Sequence, residues 1–133
     1  MKGSCLCGKC VFDLKGEIDA VGKCHCSKCR KVSGTGSNAV HSAKPENLAW
    51  LSGEASVKTY VMPDGWCSTF CNDCGSPLPM LIENGTLWIV PAGLLDEDPG
   101  VKIKGHIWTG DRPSWDVIDD TAVQFLQGPP GTD

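Results

Sequence analysis

No stretch of this chain approaches the eighteen or so consecutive apolar residues that a membrane-spanning helix requires, so no helical span is expected. An excess of positive charge is missing too. Twelve Lys and Arg against 16 Asp and Glu leave a net charge of -4, with a pI near 5.3. That balance excludes the broad basic face by which proteins displace counterions from nucleic acid. There is no glycine-rich loop of the kind that cradles phosphates behind a strand, which removes the usual basis for nucleotide binding. His41 and His106 lack the carboxylate and serine spacing of a hydrolytic triad, and each reads as a surface or hydrogen-bonded imidazole. Helix signals and fixed-period repeats are scarce as well. Met1 is followed almost at once by a pair of thiols, which leaves no room for a signal peptide, and the count of nine cysteines is odd. A reducing cytoplasm is therefore expected rather than a secreted disulfide scaffold.

Seven of the nine cysteines fall into three tight groups: Cys5 with Cys7, Cys24 with Cys26 and Cys29, and Cys71 with Cys74. Such local spacing is that of metal ligands. A closed structural zinc site takes four thiolates or imidazoles in a tetrahedron, whereas a working site keeps three protein ligands and leaves one corner open. The two short pairs, each followed by glycine (Gly8 and Gly75), look like turns that together wrap one ion. The middle group offers three thiols within six residues, enough for one face of a second ion. His25 lies between two of those thiols, and its ring is expected to project away from the ion. Cys10 and Cys67 fall on strand-like alternation and read as small buried hydrophobes. A thiol redox group at Cys24, Cys26 and Cys29 is the rival reading.

With 133 residues and 41% hydrophobic content, the chain fits one soluble globular domain. Strand-like alternation runs through residues 10–14, 57–61 and 101–105. Asn84 and Gly85 predict a type I′ hairpin joining residues 79–82 to 87–90. One short helix is expected over 27–32, with Ser27 as its N-cap and its first-turn amides aimed at the thiolates before it. The tail, residues 129–133, is expected to be loose.

These segments together resemble one family. Gly3-Ser4-Cys5-Leu6-Cys7-Gly8, Cys24-His25-Cys26-Ser27-Lys28-Cys29-Arg30-Lys31, Phe70-Cys71-Asn72-Asp73-Cys74-Gly75-Ser76-Pro77-Leu78, and His106-Ile107-Trp108 with Arg112-Pro113-Ser114-Trp115 are similar to the glutathione-dependent formaldehyde-activating enzyme family, which includes centromere protein V. The likeness covers residues 3 to about 128. It implies a mainly β, Mss4-like (β-tent) fold of coiled antiparallel sheets around a structural zinc, with little helix, over a single domain of residues 1–133. It implies Cys5, Cys7, Cys71 and Cys74 as structural zinc ligands, and Cys24, Cys26 and Cys29 as the ligands of a catalytic or substrate-binding zinc. The activity implied is that of a carbon-sulfur lyase, adding a thiol such as glutathione reversibly to formaldehyde or another small aldehyde.

Lys23, Lys28, Arg30 and Lys31 place four cations around the three-thiol group of an otherwise acidic chain, where they can attract an anionic thiol. Arg30 and Lys31 are the expected contacts to its carboxylates. Trp108 and Trp115, with Arg112, are expected to wall the cleft. The alternative function is a non-catalytic zinc-stabilised thiol carrier or protein-interaction module, since adding a thiolate to formaldehyde demands little beyond deprotonation. Neither nucleic acid nor membrane is an expected partner.

Overall fold

The computed structural model describes residues 1–129; the expected loose tail lies, but for Pro129, outside the described residues. In chain order the elements are β1 (Lys2–Ser4), β2 (Val11–Leu14), β3 (Val21–Cys24), α1 (Ser27–Ser33), β4 (Asn38–Ala43), β5 (Leu48–Ser52), β6 (Val57–Val61), β7 (Cys67–Cys71), β8 (Met80–Ile82), β9 (Leu87–Pro91), β10 (Ile103–Ile107) and β11 (Val123–Gln124). The fold is mainly β, as expected, with one short α-helix among the described residues. None of those residues forms a helix long and apolar enough to cross a membrane. The chain divides into two compact units, one made of Met1–Glu17 with His41–Pro99 and the other of Ile18–Val40 with Gly100–Asp133.

The first unit is built on antiparallel pairs. β2 lies between β1 and β5, with Gly3 opposite Phe12 and Phe12 opposite Trp50. Phe12 has no exposed surface and meets the Trp50 ring edge-on, at 5.9 Å between centroids and 76° between planes. A side chain at position 3 is impossible here, because a Cβ on Gly3 would lie 2.2 Å from Phe12 Cζ. Leu14, Leu48, Leu78, Val90 and Leu94 complete the core. Each such side chain contributes roughly 1.5–3 kcal/mol by leaving water.

β6 and β7 form a two-stranded ribbon, Val57 opposite Cys71 and Val61 opposite Cys67. The alternation over 57–61 is a strand, but not the half-buried one the sequence predicts: Tyr60 and Val61 are 58% and 60% exposed. Its β-branched and aromatic residues favour extended backbone whether or not a second layer covers them. β8 and β9 form the expected hairpin, Ile82 opposite Leu87. Asn84 and Gly85 both take positive φ, at 56° and 88°. The connection is nonetheless the wider one over 83–86, closed by Thr86 N–H to the Ile82 carbonyl at 3.1 Å, rather than a two-residue turn.

In the second unit β3 pairs antiparallel with β4 through Gly22–Val40, Lys23–Ala39 and Cys24–Asn38. Its other edge pairs parallel with β10, His106 beside Lys23 and Ile107 beside Cys24, and β10 pairs parallel with β11. These parallel pairs depart from a purely antiparallel plan. The long connections from β3 to β10 and from β10 to β11 permit them, because parallel neighbours need a crossover where antiparallel ones need only a turn.

Candidate metal centres

The four-thiol set belongs to the first unit. Cys5 N–H bonds the Cys10 carbonyl at 3.0 Å and Gly8 N–H the Cys5 carbonyl at 2.9 Å. On the other arm Cys71 N–H bonds the Ser76 carbonyl at 2.9 Å and Gly75 N–H the Cys71 carbonyl at 2.8 Å. Gly8 and Gly75 sit at φ of 76° and 74°, the left-handed turn that only glycine adopts freely. The sequence thus folds into two matching knuckles, and a Lys9–Asp73 ion pair at 2.6 Å spans them. Being half exposed, that pair is screened by solvent and adds little to stability.

Cys5, Cys7, Cys71 and Cys74 offer sulfurs within 4.8 Å of one another, as predicted. Cys5 and Cys7 sulfurs are 3.5 Å apart, and those of Cys7 and Cys71 3.9 Å. Four sulfurs at ~2.3 Å from one centre lie about 3.8 Å apart, so the set fits a tetrahedral thiolate site. The Cys10 amide donates to Cys5 Sγ at 3.3 Å, a contact that favours the ligating thiolate. Cys74 is held down to about 6, first by the Ser76 hydroxyl and then by the Ser76 amide. Cys10 and Cys67 stand outside the set. The Cys10 thiol is buried and donates to the Gly53 carbonyl at 3.3 Å. Cys67 is only partly buried, against Met80 Sδ at 3.1 Å, and so is less enclosed than its alternation predicts.

The three-thiol set occupies the joint between β3 and α1 in the second unit. Cys24, Cys26 and Cys29 also offer sulfurs within 4.8 Å of one another. α1 is capped by Cys26 rather than by Ser27: Cys26 Sγ accepts the Cys29 amide at 3.4 Å, and Arg30 N–H bonds the Cys26 carbonyl at 3.0 Å. A sulfur therefore fills the place where a hydroxyl was expected, because helical turns begin one residue earlier. Cys24 is pulled down to about 6, chiefly by the Cys29 thiol bonded to it, while the same contact pushes Cys29 up. Such proton sharing suits thiols that surrender protons to a common cation.

The ring of His25 does turn away from the thiols, as expected, but into a partnership that sequence reasoning missed. His25 and His106 are each 1% exposed. His25 Nε2 lies 2.8 Å from His106 Nδ1, with ring centroids 5.1 Å apart. His106 Nε2 lies 3.0 and 3.1 Å from the two Asp120 oxygens, and His25 Nδ1 lies 3.4 Å from Asp116 Oδ2. Burial, followed by the neighbouring His106, holds His25 below the usual imidazole range.

Of the predicted contact residues, Arg30 and Lys31 ride the last turn of α1. Arg30 Nε is buried without a hydrogen-bond partner among the described residues. Trp108 directly follows Ile107, the register partner of Cys24. Its backbone is left-handed, φ 58° and ψ 37°, unusual for so bulky a residue. It is held there by Trp108 N–H to the Gln127 carbonyl at 2.9 Å, with Thr109 and Gly110 amides bonding Phe125 and Leu126 carbonyls at 3.1 and 3.2 Å. Trp115 is 69% exposed and precedes Asp116. The Arg112 guanidinium bonds the Asp116 carbonyl.

Residues 1–111 match the family model described as glutathione-dependent formaldehyde-activating enzyme. The chain belongs to that family. A Halomonas elongata protein provisionally named a glutathione-dependent formaldehyde-activating enzyme is 27% identical over 127 residues, covering 90% of this chain and 81% of the relative. The crystal structure of a Rhodobacter sphaeroides protein superposes with a TM-score of 0.62 at 22% identity, over 77% of this chain and 91% of that one, and shares the fold. Both thiol sets and His106 lie within the span matched to the glutathione-dependent formaldehyde-activating enzyme model, whereas Asp116 and Asp120 lie beyond it.

Proposed function

We propose that this protein is a zinc-dependent carbon-sulfur lyase that binds a small thiol such as glutathione at Cys24, Cys26 and Cys29 and joins it reversibly to a small aldehyde. Family membership supports the reaction class, and the grouping of three sulfurs within 4.8 Å, one fewer than in the four-thiol set, carries the reading. Cys5, Cys7, Cys71 and Cys74 serve as the ligands of a structural zinc. A zinc ion held by Cys24, Cys26 and Cys29 supplies, when bound, an open corner that favours the thiolate form of an incoming sulfur.

The chain's own residues do the rest. Three thiolates around a divalent ion leave a local charge of about -1, which Lys23, Lys28, Arg30 and Lys31 offset while drawing in an anionic thiol. Arg30 offers its fork to one carboxylate of glutathione and Lys31 a point charge to another. Trp108 and Trp115 flank the bound molecule. In the net reaction a sulfur–carbon bond forms, the carbonyl π bond opens, and the thiol proton ends on the new hydroxyl; the reverse returns thiol and aldehyde. Nine cysteines, all free thiols, suit work in a reducing cytoplasm.

Turnover tests this reading. Purified protein is expected to accelerate adduct formation and breakdown beyond the uncatalysed rate, and Cys26→Ser to abolish the gain. A stoichiometric shift of the equilibrium without acceleration would replace the lyase with a thiol carrier. Glutathione affinity that is unchanged in Arg30→Ala, with the same salt dependence, would remove Arg30 from the binding site.

A further inference from the structure

Two neutral imidazoles carry two ring protons, yet the chain from Asp116 to Asp120 has three gaps for them. They are Asp116 to His25 Nδ1 at 3.4 Å, His25 Nε2 to His106 Nδ1 at 2.8 Å, and His106 Nε2 to Asp120 at 3.0 and 3.1 Å. Whichever gap stays empty fixes the tautomer of both rings. Protons in the two short gaps fit the distances best: His106 Nε2–H then donates to Asp120, His106 Nδ1 accepts, and His25 Nε2–H donates to it. His25 Nδ1 is left as a buried atom with no hydrogen-bond partner. Asp120 is well placed to set this polarity, because the Ala122 amide fixes its carboxylate at 2.9 Å and both oxygens face the His106 ring.

His25 is the residue between two thiols of the trio, and its main chain is tied as well, N–H to the Ile107 carbonyl at 3.0 Å. A residue gripped at its backbone and at its ring tip cannot rotate, so the Cα–Cβ directions of Cys24 and Cys26 on either side are constrained with it. We propose that Asp120 is a positioning residue for the three-thiol site: through His106 it fixes the tautomer and orientation of His25, and so holds Cys24 and Cys26 in metal-binding geometry. Ligand-orienting partners of this kind typically change metal affinity 10- to 100-fold when lost. The proposal rests on the reading of the trio as a metal site.

The test joins nitrogen NMR of the two rings to chelator competition for each bound zinc. Wild-type protein is expected to show Nε2–H on both His25 and His106. In Asp120→Asn the only remaining carboxylate at either end of the chain is Asp116, so both rings are expected to switch to Nδ1–H. The more weakly held zinc should then lose affinity by about 10- to 100-fold while the tighter one is unchanged. Wild-type His25 carrying Nδ1–H would overturn the proposal without any variant. Two ions per chain with the weaker one unaffected by Asp120→Asn would overturn it while leaving the metal reading of the trio intact. Equal weakening of both ions would mark a general loss of stability and overturn it too. A single ion per wild-type chain would instead sink the metal reading itself, and the proposal with it.

Discussion

Cys71→Ser should unfold the first unit at temperatures the intact protein survives. Cys71 has no exposed surface, and its sulfur sits 3.9 Å from that of Cys7. The four-thiol set ties residues 5 and 7 to 71 and 74, so an ion bound there closes a loop of about 70 residues, worth roughly 4 kcal/mol in chain entropy alone. Structural zinc in small domains contributes more in total, about 10–16 kcal/mol. Against a domain stability of about 5–15 kcal/mol, even the lower figure is decisive. At about 4 °C per kcal/mol for a chain of this size, the entropic part alone lowers the melting temperature by roughly 15 °C. Circular dichroism melts of wild type, wild type treated with a chelator, and Cys71→Ser measure this. The buried serine hydroxyl adds about 1–3 kcal/mol of its own, so the chelated wild type is the cleaner comparison. The reasoning is refuted if chelation strips the ions yet moves the melt by less than about 5 °C.

Cys26→Ser, in contrast, should lose one ion per chain and its turnover while the first unit keeps its melting behaviour, as metal analysis beside the same melts will show. Acid should release the four-thiol ion at a pH that depends on Ser76. Cys74 is depressed from 9.0 to about 6 by the Ser76 hydroxyl, so its thiolate's contribution is full above about 9, shrinks as the pH falls, and is lost below about 6. Ser76→Ala raises that lower limit, and the midpoint of zinc release followed with a metallochromic dye should move to higher pH.

The thiol sets were legible in the sequence because their geometry is local. Two pairs with trailing glycines dictate two knuckles, and three thiols within six residues must share a face. The hairpin at Asn84 and Gly85 followed from the same short-range chemistry. What stayed hidden depends on register between distant segments. His25 and His106 are 81 residues apart in sequence and meet because β3 and β10 run parallel, a pairing that no local periodicity announces. The interior position of His25 between thiols hinted that its ring faced elsewhere, but not toward what. Cys26 as helix cap was masked by Ser27, the better-known capping residue one place along. Residues 57–61 carry the composition of a strand while their burial depends on layers that composition does not specify.

The left-handed backbone at Trp108 makes residues 125–127 a tether for the β10 terminus. A conformation that costs a bulky residue about 1–2 kcal/mol persists only while neighbours enforce it, and here those neighbours are Phe125, Leu126 and Gln127 through their carbonyls. A protein shortened to end at residue 124 would retain every cysteine, His25, His106, Asp116 and Asp120, yet its Trp108 would relax to an ordinary extended state. Trp108 fluorescence, read in a variant with its other four tryptophans replaced, should report that relaxation as faster depolarisation. Trimming that removes residues 125–127 is therefore not a neutral choice for this protein.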